Sequence, residues 1–481
     1  MYLAKMHLIL MHLNLMDMLL GMPKTTKLRG NPWAVLVTLS LGFFMTLLDM
    51  TIVNIALPGV MSDLHTGLDQ VMWTVSGYTL VLAALLVTAA RLGDMKGRRT
   101  LFALGVAVFT AASAVCGLAG GIGVLVGARL VQGLGAALLT PQTMALIMAV
   151  FPAGRRGTAL GIWGSVAGVA TLSGPTLGGL LVSTVGWRWV FFVNIPIGLL
   201  VLALTFLLVP DPRTGRAHRL DLPGVLLSTA ALACVAFALM EGDRYSWNAG
   251  ILALAATGLV LAALFLRQQS RRQESEPLIP FRLFTDRGFT VMTVLIGAIG
   301  AALIAAVLPL GLYFQQELGF SAVRAGLALA PSPLVSLVVS PLAGRLSDRI
   351  GGRRVLSAGL LSFCAGLAAV ILLARDSASA PDFTVPLMFM GLGTGCLIAP
   401  LSTEAMRHVP APLAGAASGV NNTVRQLGSV LGSAAATALM AAGATPLAGF
   451  RLAMALAVVL LVLAGAALIA TRTGTPAAAA V

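Results

Sequence analysis

Of the 17 Asp and Glu residues in this 481-residue chain, Asp49 is the one well inside a long apolar run. Of the 31 Lys and Arg residues, two (Arg129 and Arg425) are placed likewise. A charge in hydrocarbon costs about 2.5–3.5 kcal/mol even on lenient scales, so such residues are functional candidates. An acid stripped of part of its water favours its protonated form, and a cation beside it favours the charged one. Asp49 and Arg129 together have the chemistry to take up a proton and give it back. A permanent ion pair that only packs one helix against another is the plainer reading. Arg425 has no acid at comparable depth. Its two readings are hydrogen bonds to Asn421 or backbone carbonyls, and a place facing a cavity.

A second constellation is repeated. Ala90-Arg-Leu-Gly-Asp94-Met-Lys-Gly97-Arg98-Arg99 returns 254 residues later as Gly344-Arg-Leu-Ser-Asp348-Arg-Ile-Gly351-Gly-Arg353-Arg354. Any tight connection between helices favours Gly and Arg, but not an Asp at the same place among them. A carboxylate near a helix N-terminus, with arginine forks around it, makes a contact whose strength depends on charge. Catalytic and cofactor constellations are missing. The five histidines (His7, His12, His65, His218, His408) are scattered, and Cys116, Cys234, Cys364 and Cys396 have no paired spacing. Neither a metal site nor a disulfide framework is expected, and no Gly-x4-Gly-Lys-Ser/Thr loop offers an ATP site. The chain reads as a non-enzyme.

The elements that position these residues follow from composition. The chain is 58% hydrophobic and 10% charged, against about 25% charged residues in a soluble domain. Runs of spanning length fall at 33–57, 73–90, 101–119, 123–149, 158–182, 189–209, 222–240, 249–266, 289–312, 322–344, 355–374, 384–401, 418–441 and 450–470. They lack the alternation of a barrel strand, so helices are expected. Fourteen crossings place both termini on one side. With the N-terminus inside, 23 Lys and Arg fall in inner segments and 5 in outer loops, which puts both termini in the cytoplasm. The net charge of +14 then reports topology, and no nucleic-acid partner is implied. Residues 1–22 hold six methionines and a Leu-rich pattern broken by His7, His12, Asn14 and Asp17. They lack a convincing cleavage site and are too polar to span.

The paired Asp motifs resemble those of the major facilitator superfamily, built from two parallel six-span halves. The first copy departs from the family pattern at Ala90 and at Met95-Lys96. Gly174-Pro175-Thr-Leu-Gly178-Gly179 in the fifth span resembles that superfamily's antiporter motif, and Arg129-Leu-Val-Gln132-Gly133 a second exporter motif. Leu48-Asp49-Met-Thr51-Ile-Val-Asn54, Trp187-Arg188-Trp189 with Asn194 and Pro196, and Asn421-Asn-Thr-Val-Arg425-Gln-Leu-Gly428 are similar to stretches of its fourteen-span drug:proton antiporters. The spacing of Trp73 and Tyr78 is similar too. Together these matches cover about residues 45–430.

The resemblance implies an all-α integral membrane protein of the major-facilitator fold. Two six-helix bundles, 33–209 and 289–470, are expected with two inserted linker helices over 222–266. Tails over 1–32 and 471–481 complete the chain. It implies a monomer in the bacterial cell membrane that exports drug-like amphiphiles, antibiotics among them. Alternating access and the proton gradient would drive it, with no cofactor; export of one endogenous metabolite is the alternative. In that fold spans 1 and 4 face the central cavity, so Asp49 and Arg129 take the proton-coupling role. Asp94, Arg98, Arg99, Asp348, Arg349 and Arg353 form a gating latch. Cavity candidates are Asn54, Trp73, Tyr78, Gln132, Tyr313, Gln315, Asn421 and Arg425. With one acid in the membrane, the expected small-molecule substrate is neutral or monocationic.

Overall fold

The side chain of Asn31 accepts a hydrogen bond from the Trp33 N–H at 2.9 Å, and Pro32 occupies the first turn of the helix that follows. Both are helix-start signals. The helix they open, α1, runs over Pro32–Asp63. The computed structural model describes residues 29–211, 221–242, 244–274, 277–320, 322–375, 377–407, 409–410 and 413–470. Residues 1–28 and 471–481, which carry nearly all of the expected tails, lie outside these ranges.

The first half continues with α2 (Leu68–Lys96), α3 (Arg98–Gly117), α4 (Ile122–Val150), α5 (Arg156–Thr184), the short α6 (Trp189–Phe192) and α7 (Asn194–Leu208). Then come α8 (Leu222–Glu241) and α9 (Ala249–Arg271). The second half holds α10 (Arg287–Leu312), α11 (Ala322–Leu329), α12 (Pro331–Ile350), α13 (Gly352–Leu373), α14 (Thr384–Ala405), α15 (Ala414–Ala442) and α16 (Pro446–Ala470). No strand occurs among the described residues.

Among the described residues, 12 helical segments are long and apolar enough to cross a membrane. Fourteen runs were expected. The two that are not among the 12 lie in α5 and α15, which have 29 residues each. Each of these helices gives a face to close contact. A Cβ at Gly161 of α5 would sit 2.4 Å from the Ser340 carbonyl, and one at Gly428 of α15 would sit 2.1 Å from the Gly297 carbonyl. Small residues at such spacing let helix backbones approach. The middle of α15 also carries Asn421, Asn422, Arg425 and Gln426.

The two halves have separate cores over most of their length. Phe102, Phe109, Leu139 and Ile147 are buried in the first, and Leu310, Phe363, Phe383 and Phe450 in the second. At the end that carries Asp94 and Asp348, the first core runs on into the second through Met148, Ala399, Ala417 and Val420. The halves meet along α5–α12 and α2–α15. Helix α8 lies against both α2 and α15. The hydroxyls of Thr88 and Thr229 are 3.4 Å apart across the α2–α8 contact, and the rings of Trp73 and Phe237 are 5.5 Å apart. Helix α9 packs on α8 and turns Leu252, Leu259 and Val260 outward.

The repeated Asp motif is helical up to its glycine. Asp94 and Asp348 sit in the last turns of α2 and α12. Gly97 (φ 95°) and Gly351 (φ 92°) each join two consecutive helices. These backbone angles favour glycine, which explains that residue at both copies.

Candidate functional site

Asp49 and Arg129 touch. Arg129 Nη1 donates to Asp49 Oδ2 at 2.5 Å and to Gln132 Oε1 at 2.7 Å, while its Nε donates to the Thr74 carbonyl at 2.7 Å. The second carboxylate oxygen accepts from Gln132 Nε2 at 2.9 Å and from Asn194 Nδ2 at 3.2 Å. Ser113 Oγ accepts from both amides and donates to the Phe191 carbonyl at 3.0 Å. Tyr78 places its ring 4.4 Å from the guanidinium carbon. Helices α1, α2, α3, α4, α6 and α7 thus converge on one polar knot. Asp49 is 0% exposed and Arg129 1%. A charge pair so desolvated holds only where its remaining lone pairs and protons are satisfied, and the amides of Gln132 and Asn194 do this for the carboxylate. Protonating Asp49 would weaken this set of bonds and loosen Arg129, so the knot can link a proton to the positions of several spans.

The depth match read from sequence is met by direct contact, but the expected cavity exposure is not. Neither Asp49 nor Arg129 lines the central space. Gln132, expected in the cavity, is also held in the knot. Ser113 and Thr74 escaped sequence reading, because a Ser or Thr in an apolar helix carries no distinguishing signal.

The two aspartates of the repeat dock against opposite halves. Asp348 accepts from the Gly157 N–H at 2.9 Å, the Thr158 N–H at 2.9 Å and the Thr158 hydroxyl at 2.8 Å, all in the first turn of α5. Asp94 lies against the first turn of α15, where a Cβ on Gly415 would fall 2.0 Å from its Oδ1. A negative charge at a helix N-terminus meets free N–H groups and the positive end of the dipole. Arg98 donates to Asp94 at 3.0 Å and to the Ala145 carbonyl of α4 at 3.2 Å.

Arg99 and Arg349 depart from the expected latch. Arg99 donates to the Phe206 carbonyl of α7 at 2.9 Å, since the next position around α3 faces its own bundle. Arg349 is exposed and makes no ion pair among the described residues, because backbone N–H groups of α5 have taken its place at Asp348. In α5, Gly161 and Gly168 face α12, whereas Gly174 and Gly178 face α1, with a Cβ on Gly174 falling 2.2 Å from Thr51 Oγ1. Pro175 lies in the same stretch of helix, and Gly179 has open space around it. Gly174 and Gly178 therefore pack α5 against α1 of its own bundle.

Two chambers are stacked between the halves. The larger, about 480 Å³, is walled by α1, α2 and α15 and includes Phe43, Tyr78, Arg425, Ser429 and Ser433. The smaller, about 170 Å³, lies nearer the latch and includes Phe43, Trp163, Asn421, Asn422 and Arg425. Phe43, Leu47 and Arg425 line both. Of the expected cavity residues, Tyr78, Asn421 and Arg425 are here.

Four others lie elsewhere for identifiable reasons. Asn54 donates to the Met50 carbonyl of its own helix at 2.9 Å. Trp73 is turned to α8. Tyr313 is 1% exposed, stacked on Phe450 at 4.5 Å and donating to the Arg375 carbonyl at 2.7 Å. Gln315, in a π-helical turn at Tyr313–Glu317, is exposed at the far end of α10. Trp163 was missed, although a tryptophan among the glycines of the fifth span was a usable signal. It stacks on Phe43 with centroids 4.3 Å apart.

Two helical bundles around a shared cavity, sealed at one end by reciprocal Asp contacts, define a helical membrane transporter. The model of the Major Facilitator Superfamily matches residues 39–433, and the chain belongs to that family. It is similar to the multidrug resistance protein Stp of Mycobacterium tuberculosis, 38% identical over 409 residues, which cover 85% of this chain and 75% of that protein. It is also similar to the tetracenomycin C resistance and export protein of Streptomyces glaucescens, 35% identical over 416 residues, 86% of this chain and 77% of that one. Among solved structures, the proton:xylose symporter XylE superposes with a TM-score of 0.64, covering 90% of this chain and 94% of that one. At 15% identity it shows the fold alone.

Proposed function

We propose that this protein exports drug-like amphiphilic molecules, antibiotics among them, across a bacterial cell membrane by alternating access driven by the proton gradient. All fourteen apolar runs cross the membrane in this reading, with α5 and α15 as inner helices. Both termini and the latch end face the cytoplasm. The observation that carries the proposal is the buried Asp49–Arg129 pair tied to six helices of one bundle, beside a cavity that both bundles wall. The names of the relatives support the drug-export part. Uptake of a proton by Asp49 frees Arg129, shifts α1 against α4, and favours the state in which the latch opens. Release of the proton restores the pair and the closed latch.

A narrower reading, export of one endogenous metabolite, is favoured by the relative named for a single compound. An efflux-deficient host expressing the protein, tested against a panel of antibiotics and dyes, separates the two. Raised tolerance to several unrelated compounds is expected, and no shift in any would favour the narrower reading. In proteoliposomes with an imposed pH gradient, Asp49→Asn should abolish pH-dependent export. Export by that variant with unaltered pH dependence would sink the coupling assignment.

A further inference from the structure

Among the described residues lining the two chambers, Arg425 is the only charged one. Its side chain is open to that space, and among the described residues it makes a single hydrogen bond, from Nη2 to Asn422 Oδ1 at 3.2 Å. No ion pair to Arg425 forms among the described residues. Asp49, the acid nearest the middle of the first bundle, is committed to Arg129, Gln132 and Asn194 and reaches neither chamber. A guanidinium stays charged at any accessible pH and holds five N–H donors in a rigid fork. In this cavity most of that fork has no protein acceptor.

The surroundings offer little competition and a fitting wall. The hydroxyls of Thr46, Thr79, Thr140 and Thr437 donate back to carbonyls of their own helices at 2.7–3.1 Å. Trp163 in the inner chamber is 7% exposed, and its indole N–H is buried without an acceptor. Phe43 and Trp163 form a flat stacked surface next to Arg425, and Leu47, Leu303 and Leu401 complete an apolar lining.

We propose that Arg425 anchors an acidic oxygen group, such as a carboxylate, sulfonate or ionised phenol, on an otherwise apolar aromatic substrate. The inference rests on the export reading and deepens it: the cavity selects amphiphilic anions, with the acidic group at the neck between the chambers and the ring system against Phe43 and Trp163. It reverses the sign expected from sequence. The neutral-or-monocationic expectation rested on the presence of a single buried acid, whereas that acid reaches neither chamber and their lining presents a cation that repels a second one.

The test is equilibrium binding to the full-length protein in nanodiscs, without a pH gradient, after subtraction of empty nanodiscs. The probes are 1-anilinonaphthalene-8-sulfonate and its uncharged twin, N-phenyl-1-naphthylamine. A charge-assisted fork should make the sulfonate bind about tenfold or more tighter than the neutral twin. Arg425→Gln should erase that preference while leaving the neutral probe within about threefold of wild type, which also certifies the fold. Arg425→Lys should keep part of the preference, because a point charge remains without the planar fork.

A sulfonate that binds no tighter than its twin, shows no saturable binding, or is unaffected by Arg425→Gln would overturn the proposal. Because no transport is involved, a preference that depends on Arg425 stands even if reconstituted protein fails to export. Only the export reading falls in that case.

Discussion

Asp348 in the last turn of α12 accepts the backbone N–H of Gly157, the second residue of α5, at 2.9 Å. The contact joins the two halves of the molecule through a carboxylate and a helix start, and its counterpart places Asp94 against Gly415 of α15. Each latch contact thus pairs an acid from one half with a glycine that opens a helix of the other.

This geometry makes Gly157 intolerant of any side chain. A Cβ there would lie 2.4 Å from Asp348 Oδ1 and 2.6 Å from the Gly344 carbonyl. Gly157→Val should force the latch open, at a cost of about 1–3 kcal/mol typical of overpacking. Spin-label distances across the latch end should lengthen, and export should fall. Unchanged distances in this variant would mean that the latch does not hold the closed state.

The Asp49–Arg129 pair predicts a marked non-additivity. Asp49→Asn leaves a buried guanidinium without its counter-charge, and Arg129→Gln leaves a buried carboxylate, so each should cost about 3–5 kcal/mol. The double variant replaces the pair with neutral groups and should be less destabilised than either single variant. Thermal unfolding in detergent of the four proteins completes the cycle. Simple addition of the two losses would show that the residues are not coupled.

At the latch end of the inserted hairpin, Asp221 is 3% exposed and caps α8. Burial alone would raise its carboxyl, but hydrogen bonds from Gln268, Gln269 and the Gly224 N–H, with the Arg272 charge, hold it below the usual carboxylate range. A group depressed on folding adds stability above its unfolded value, about 3.9, and loses it as pH falls through its folded one. The α8–α9 clamp should therefore be intact at neutral pH and weaken only in strong acid. Hydrogen exchange at the start of α8 should accelerate below about pH 4 in the wild type. In Asp221→Asn it should already be fast at pH 7.

Helix positions, the internal repeat and the Asp49–Arg129 contact were legible because each leaves a mark in residue type: long apolar runs, an Asp among arginines, a charge where charge is costly. The cavity wall was less so. Gln132 and Tyr313 carry polar groups that suit a binding site equally well as a buried network, and only the direction in which each helix faces decides between them. Around Gln132 that direction turns on the close contacts of Gly133 with Tyr78 and of Gly135 with Phe109, which join residues far apart in sequence. Arg425 was found, but the enclosure of Asp49 away from the chambers was not, since Asp49 gives no hint in its own neighbourhood that Asn194 and Gln132 surround it.

Helix α8 touches α2 on one flank and α15 on the other, and its Leu239 reaches the wall of the larger chamber. On that side, a compound dissolved in the lipid meets a shutter and not a doorway. Under the proposed export, entry from the bilayer is left to the opposite seam between α5 and α12, and the inserted pair makes loading one-sided.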